Sequence, residues 1–323
     1  MTWFLPHNFA EKRPFLEKRM EIIRGMRRFF DDEGFYEVET PILQACPTFD
    51  THIHGFAVEE GEYLRSSPEF DMKKLLVAGV ENLYQIGANF RKREHSKLHR
   101  PEFTMVEWYR AGADYRVLMQ DCHDLLRGLS DTYRFGGHVC DAHGVWDIVT
   151  VMEVFERYCG IDLAGCLDDV CAFAAEAERI GVRVVKGDAW DDIFHAVMAD
   201  KIEPYLGMGA PCILYDYPIL MAALSRPKVD DERFAERFEV YVCGVELANA
   251  FSELTDAAEQ RRRFEVDMAA KQALYGVSYP PDEEFFAALE HGLPECAGIA
   301  LGVDRLVMLA CGVGDIGDVQ WCG

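Results

Sequence analysis

The chain has 323 residues, with 33 Lys and Arg against 56 Asp and Glu and a formal net charge of −23 at pH 7. Coating a nucleic-acid backbone by mass electrostatics needs a surplus of basic side chains, so that class of function is disfavoured. Half of the residues are hydrophobic and 28% are charged, the balance of a globular protein with a core, and no apolar run approaches the ~20 residues of a spanning helix.

In chain order, a helix is predicted over about 15–33, with Pro14 near its start, an apolar stripe at Leu16, Met20, Ile23 and Phe30, and Gly34 just past its end. The start, broken at Pro6 and without a basic n-region, is not a signal peptide. Phe35 to Pro41 alternates with period two and predicts a strand ended by proline. A helix over 70–80 precedes a strand over 82–90, which leads into a loop over 91–101. That loop holds Arg91, Lys92, Arg93, Lys97, Arg100, His95 and His99 against a single acid, Glu94. Residues 103–109 have strand composition, and from Tyr115 the pattern is mainly helical and acidic, read as an insertion or helical flank over about 115–205. Sheet texture returns at 212–217 and 237–243, a helix is predicted over about 256–275, and Cys296 to Val303 forms a strand and turn before a helix near Asp304. No linker or repeat divides the chain, so 1–323 reads as one domain.

Eleven cysteines occur without any Cys-x-x-Cys pair, which reads as small buried hydrophobes in a reducing, cytoplasmic compartment. His138-Val-Cys140-Asp-Ala-His143 and His52-Ile-His54 have zinc-ligand residue types, but no second ligand pair stands at a matching spacing.

Two arginines stand where a polyphosphate could use them. Arg91 leaves a strand into the basic loop, and Arg305 follows a glycine turn at a helix start, where backbone N–H groups favour anions. Guanidinium suits phosphoryl oxygens because its planar fork keeps its charge when buried. Glu239 and Glu246 are strand carboxylates of the kind that hold Mg²⁺. From the residues alone, a nucleotide site stands beside the plainer reading of a solvated loop and surface acids.

These segments also carry a resemblance. Phe35 to Pro41 resembles the end of motif 1 of the class II aminoacyl-tRNA synthetases (about 15–41), Phe90-Arg91 through Arg110 resembles motif 2 (about 84–110), and Gly302-Val-Asp-Arg305-Leu resembles motif 3 (about 296–312). Arg100 to Tyr109 and Glu246 to Asp256 are similar to the lysyl branch of that class, and the likeness spans nearly the whole chain, weakest over about 130–230. It implies an α+β fold, an antiparallel β-sheet flanked by helices, with a homodimer through the motif 1 region and an ATP site built by motifs 2 and 3. It further implies Arg91 on the α-phosphate and substrate carboxylate, His99 at the phosphate tail, Phe103 stacked on adenine, and Arg305 near the γ-phosphate, with Mg²⁺ on Glu239 and Glu246. For a lysine-like substrate it implies Glu253 and Tyr109 at the side-chain ammonium, Glu69 at the amino group near the carboxylate, and Glu107, Asn249 and Phe251 along the rest. Acceptors at both ends are what the chemistry requires, because burying an unpaired cation is costly.

Lysyl-tRNA synthetases carry an anticodon-reading barrel ahead of this core, and it is expected to be absent here because the motif 1 helix starts by about residue 15. Length, charge and motif variants resemble the truncated paralogues that attach (R)-β-lysine to a lysine of translation elongation factor P. Ser67 and Ala300 stand where the synthetases have alanine and glycine, adding a hydroxyl and a methyl at the pocket floor, where an amino group moved from the α to the β carbon would be accommodated. The expected reaction is ATP-dependent formation of a lysyl-type adenylate and its transfer to that protein, with tRNA not the acceptor. Rival readings are a truncated tRNA-charging enzyme and a non-catalytic paralogue. The second arises because the glutamate that normally follows the motif 2 arginine by two residues is Arg93, leaving Glu94 as its substitute at the adenine, and because Asn-Gly-Phe reads Asn249-Ala250-Phe251.

Overall fold

The computed structural model describes residues 4–59 and 61–322. Helix α1 (Pro6–Asp32) begins well ahead of the expected point, with Pro6 in its first turn and Pro14 inside it. An interior proline is tolerated because Ala10, whose carbonyl loses its partner, is exposed to water. The buried stripe of α1 is Leu16, Arg19, Ile22, Met26 and Phe30, whereas Met20 faces solvent. Arg19, a charge, takes an inward place because a buried carboxylate waits there. It forms an ion pair with Asp304 and donates to Thr104 Oγ1 at 2.8 Å, while Asp304 accepts from the Thr104 backbone N–H at 2.9 Å. Segments of motifs 1, 2 and 3 therefore meet at one buried node.

Strand β1 (Tyr36–Glu37) is shorter than expected, because Thr40 N donates to the Gln85 side chain at 2.8 Å instead of to a strand partner. Then come α2 (Glu69–Val77), β2 (Asn82–Phe90), β3 (Glu102–Ala111), α3 (Tyr115–Leu129) and β4 (Asp147–Thr150). The chain continues through α4 (Val151–Cys159), α5 (Val170–Arg179) and α6 (Trp190–Val197) to β5 (Cys212–Pro218), β6 (Phe234–Val242) and β7 (Val245–Ser252). It ends with α7 (Ala257–Tyr275), α8 (Glu283–Gly292), β8 (Cys296–Gly302) and α9 (Val303–Cys311). Helix starts follow local chemistry: Thr150 and Glu153 cap α4 reciprocally, and the Asp256 carboxylate accepts from the first-turn amides of α7.

The eight strands form one sheet in the order β1-β2-β3-β8-β7-β6-β5-β4. Its six inner strands are antiparallel, as expected, but β1 and β4 join the two edges in parallel. One face packs Tyr84, Trp108, Ile299, Ala250 and Phe238 against α1, α3 and α9. The stretch expected to be helical also contains β4 and a hairpin, Thr132–Phe135 with His138–Asp141. Helices α4, α5 and α6 bring a second apolar cluster, including Phe155, Phe173, Trp190 and Phe194, against Leu214 and Tyr241 at the far end of the sheet.

Neither histidine grouping forms a metal centre. Cys140 is buried, His138 is exposed, and His143 is held by Asp131 and Arg127. His52 meets the Tyr275 hydroxyl and Asp191, and His54 stands edge-on to the Tyr275 ring. Among the described residues no three His, Cys, Asp or Glu side chains are grouped to hold a metal ion.

Candidate active site

The site is built on the other face of the sheet by strand register. Gln85, Glu107, Ala300, Asn249 and Glu239 lie opposite one another across β2, β3, β8, β7 and β6. Two residues along, Tyr109, Gly298, Phe251 and Arg237 form a parallel row, and the two-residue side-chain period puts both rows on the same face. Of these, Glu107, Ala300, Asn249, Tyr109, Gly298, Phe251 and Arg237 floor a cavity of about 300 Å³ that Ser67, Glu69, Arg91 and Met105 also line.

At the acidic end, Ser67 Oγ donates to Glu107 Oε1 at 2.6 Å, and the Tyr109 hydroxyl donates to Glu107 Oε2 at 3.3 Å. Burial, and then the charge of Glu69, pushes the Glu107 carboxyl up to about 8, against the opposing pull of these two donors and Arg91. Glu69 opens α2, where the helix dipole favours its charge. Glu253, just beyond β7, is buried behind Gly298. A Cβ at position 298 would collide with the Tyr109 ring and Glu253 Oε1, so only glycine leaves both in place.

The basic loop lies beside this cavity. The Arg91 guanidinium is 5.2 Å from the centre of the half-buried Phe103 ring, and Glu94 stands 3.9 Å from Arg91. Arg93 turns away with a left-handed φ of 68° and reaches His54 Nε2 at 3.4 Å. Arg305 donates to the Glu246 carbonyl at 2.8 Å and meets His99 Nε2 at 2.6 Å. Burial, then Arg305 and Arg91, pushes His99 down to about 4, so its ring is neutral at pH 7 and accepts a hydrogen bond from Arg305. Arg91, at the cavity, and Arg305 thus supply the positive charge here, and the neutral His99 ring is held against Arg305.

Glu239 accepts from the Tyr217 and Tyr241 hydroxyls at 2.6 and 2.7 Å and from Arg237 at 2.6 Å. The Glu246 side chain is 42% exposed and stands 3.5 Å from Arg305, so it is open to the cleft. Protein packed around the cleft withdraws water from Glu246 and, with the charge of Glu239, raises its carboxyl, while burial with both neighbours pushes Glu203 up to about 7. Acid charges that raise the proton affinity of Glu246 and Glu203 suit a cation, which would relieve that repulsion.

Several residues here escaped sequence reasoning. Lys73 sits between Glu69 and Glu253. Arg237 donates to Asn249 Oδ1 at 3.1 Å and fixes the amide's direction; its position two residues before Glu239 on one strand was the available signal. Asp191 and His195 of α6 and the loop from Asp50 to Ile53 line the cavity mouth. Nothing in the local sequence marks Asp191 or His195, which the packing of α6 brings in, and His52 stood out only as a possible zinc ligand.

A sheet of this order, carrying arginines and carboxylates in cross-strand rows, defines the catalytic core of a class II synthetase. Residues 5–321 match the family of tRNA synthetases class II (D, K and N), and the chain belongs to it. Among curated proteins it is similar to the elongation factor P–(R)-β-lysine ligase of Proteus mirabilis, 41% identical over 315 residues, which cover 94% of this chain and 93% of that one. The ligases of the same name from Pectobacterium carotovorum and Yersinia enterocolitica are 41% and 38% identical, again over 94% of this chain and 93% of theirs.

Proposed function

We propose that the chain is an AMP-forming ligase that activates (R)-β-lysine, or lysine, with ATP and transfers it to the ε-amino group of a lysine on translation elongation factor P. The observation that carries this reading is the similarity to ligases of that name over 94% of the chain. The pocket agrees in chemistry, since carboxylates for ammonium groups lie next to an arginine for a carboxylate.

In the first step a carboxylate oxygen of the amino acid attacks the α-phosphorus of ATP, and pyrophosphate leaves. Arg91 meets the charge that builds on the α-phosphoryl oxygens and holds the attacking carboxylate, while Arg305 and His99 face the departing phosphates. Phe103 offers a ring face for the adenine, with Glu94 on the same loop in place of the glutamate that Arg93 replaces. Glu246, with Glu239, would hold Mg²⁺, whose chemistry there is charge neutralisation on the phosphates. Glu69, Glu107, Tyr109, Glu253, Asn249 and Phe251 receive the amino acid, and Ser67 and Ala300 shape the floor. In the second step the acceptor nitrogen, having lost its proton to solvent, attacks the carbonyl carbon. The C–N bond forms, the C–O bond to phosphate breaks, and AMP leaves.

The same reading makes residues 1–323 one catalytic domain in the cytoplasm, and pairs two copies where Tyr36, Ile42 and Leu43 expose apolar surface near α1. Among the described residues no helix is long and apolar enough to cross a membrane. The test is pyrophosphate exchange with (R)-β-lysine and lysine in parallel, followed by mass analysis of added elongation factor P. A mass gain of one lysyl residue on the factor is expected; efficient tRNA charging without it would favour the rival reading. Gly298→Ala is expected to raise the KM for the amino acid by about 100-fold, through overpacking against Tyr109 and Glu253, with the KM for ATP within about twofold of the original. Steady-state exchange kinetics against each substrate separate the two.

A further inference from the structure

Lys73 lies one helical turn beyond Glu69 on α2, and its side chain is 1% exposed. Its Nζ is 2.6 Å from Glu69 Oε1, in an ion pair with Glu253 Oε2, and 5.6 Å from the centre of the Phe251 ring. One ammonium therefore ties together α2, the end of β7 and the cavity floor. Burial works against its charge, but the two carboxylates outweigh that and hold it protonated.

Each glutamate uses one oxygen on Lys73 and retains the other. Glu253 Oε1 is buried, has no hydrogen-bond partner and lies against Gly298, which lines the cavity. An unpartnered buried carboxylate oxygen is costly in the empty protein, and a donor arriving through the cavity removes that cost. Glu69 itself lines the cavity. The free oxygens thus stand at a spacing set by the chain's own lysine.

We propose that Lys73 is a positioning residue that holds Glu69 and Glu253 at a fixed separation and thereby sets the length of the diamino acid the pocket accepts. The inference rests on the activation reading above. It differs from simple charge neutralisation in the sign of its consequences. A lysine that only cancelled charge would, when removed, leave the pocket more negative and tighten its hold on a cation. A lysine that positions the carboxylates would, when removed, let them swing, protonate or repel, and binding would weaken as length discrimination disappears.

The experiment is pyrophosphate exchange by the full chain with (R)-β-lysine, lysine and ornithine, the last being one methylene shorter than lysine. Lys73→Met is expected to raise the KM for the preferred amino acid by about 30-fold or more, with the KM for ATP within about twofold. The preference for lysine over ornithine, about 10- to 200-fold for one methylene in a fitted pocket, is expected to fall toward one. Lys73→Arg, which keeps the charge, is expected to restore part of that preference. A Lys73→Met protein with unchanged KM and preference, or with tighter amino-acid binding, overturns the inference. Should that variant not fold, Lys73→Gln combined with Glu69→Gln removes the charge and the repulsion together; retained preference in it overturns the inference equally. Absence of exchange by the unaltered chain with all three amino acids overturns the activation reading instead.

Discussion

Replacing Arg91 by alanine is expected to lower amino-acid-dependent pyrophosphate exchange by about 10³-fold, since a fixed cation at the reacting phosphorus contributes roughly that much in a water-poor site. Stability should hardly change. The Arg91 side chain is 25% exposed, its carboxylate neighbour Glu94 is at 3.9 Å, and its Nε reaches the Ser66 carbonyl only at 3.4 Å. Such contacts contribute within about ±0.5 kcal/mol. Arg91→Lys keeps the charge but loses the fork that addresses two oxygens, so it should recover only a small part of the rate. Single-turnover adenylate formation, read beside a thermal melt, checks both statements; exchange at the original rate in Arg91→Ala would remove Arg91 from the chemistry.

The opposite profile is expected for Arg19. It lies on α1, away from the cavity lining, and Arg19→Ala leaves the Asp304 carboxylate, 1% exposed, without its counter-charge. Breaking one side of a buried pair costs about 3–5 kcal/mol. Thr104 N and Gln320 Nε2 still donate to Asp304 Oδ2, at 2.9 and 3.2 Å, so the oxygen that faced Arg19 bears the loss. The unfolding midpoint in urea should fall accordingly, and Arg19→Met with Asp304→Asn should recover much of it, because the uncompensated charge is gone. A loss below about 1 kcal/mol in the single variant would place this pair with exposed ones.

The inner strands and the helices near the termini of the catalytic segments were legible because they carry strong local periodicity. The strand expected over 82–90 and the helix expected over 256–275 fall within a residue of β2 and α7. What was not legible depends on partners distant in sequence. Met20 was expected on the inward stripe of α1, whereas Arg19 takes an inward place because Asp304 meets it there. The short β4 strand was hidden in a region read as helical, since four residues carry little period. At the site, Ser67, Glu69, Arg91, Glu107, Tyr109, Asn249, Phe251 and Ala300, distant in sequence, line one cavity. Lys73 was missed because Lys-Lys in a helix reads as a solvated face, and only the approach of Glu253 from the far end of β7 buries one of the two.

The second apolar cluster is a packing unit of its own that also reaches the cavity. Helices α4 to α6 hold one another largely through their own aromatic side chains, yet α6 lends Asp191 and His195 to the lining. A brief opening of that layer would widen the mouth without disturbing the buried node that joins α1 to α9, so its amides should exchange with solvent sooner than those of the central strands. Ligand occupancy would then be readable as slowed exchange in α6, at a distance from the reacting atoms; unchanged exchange there on saturation would show that the layer does not take part.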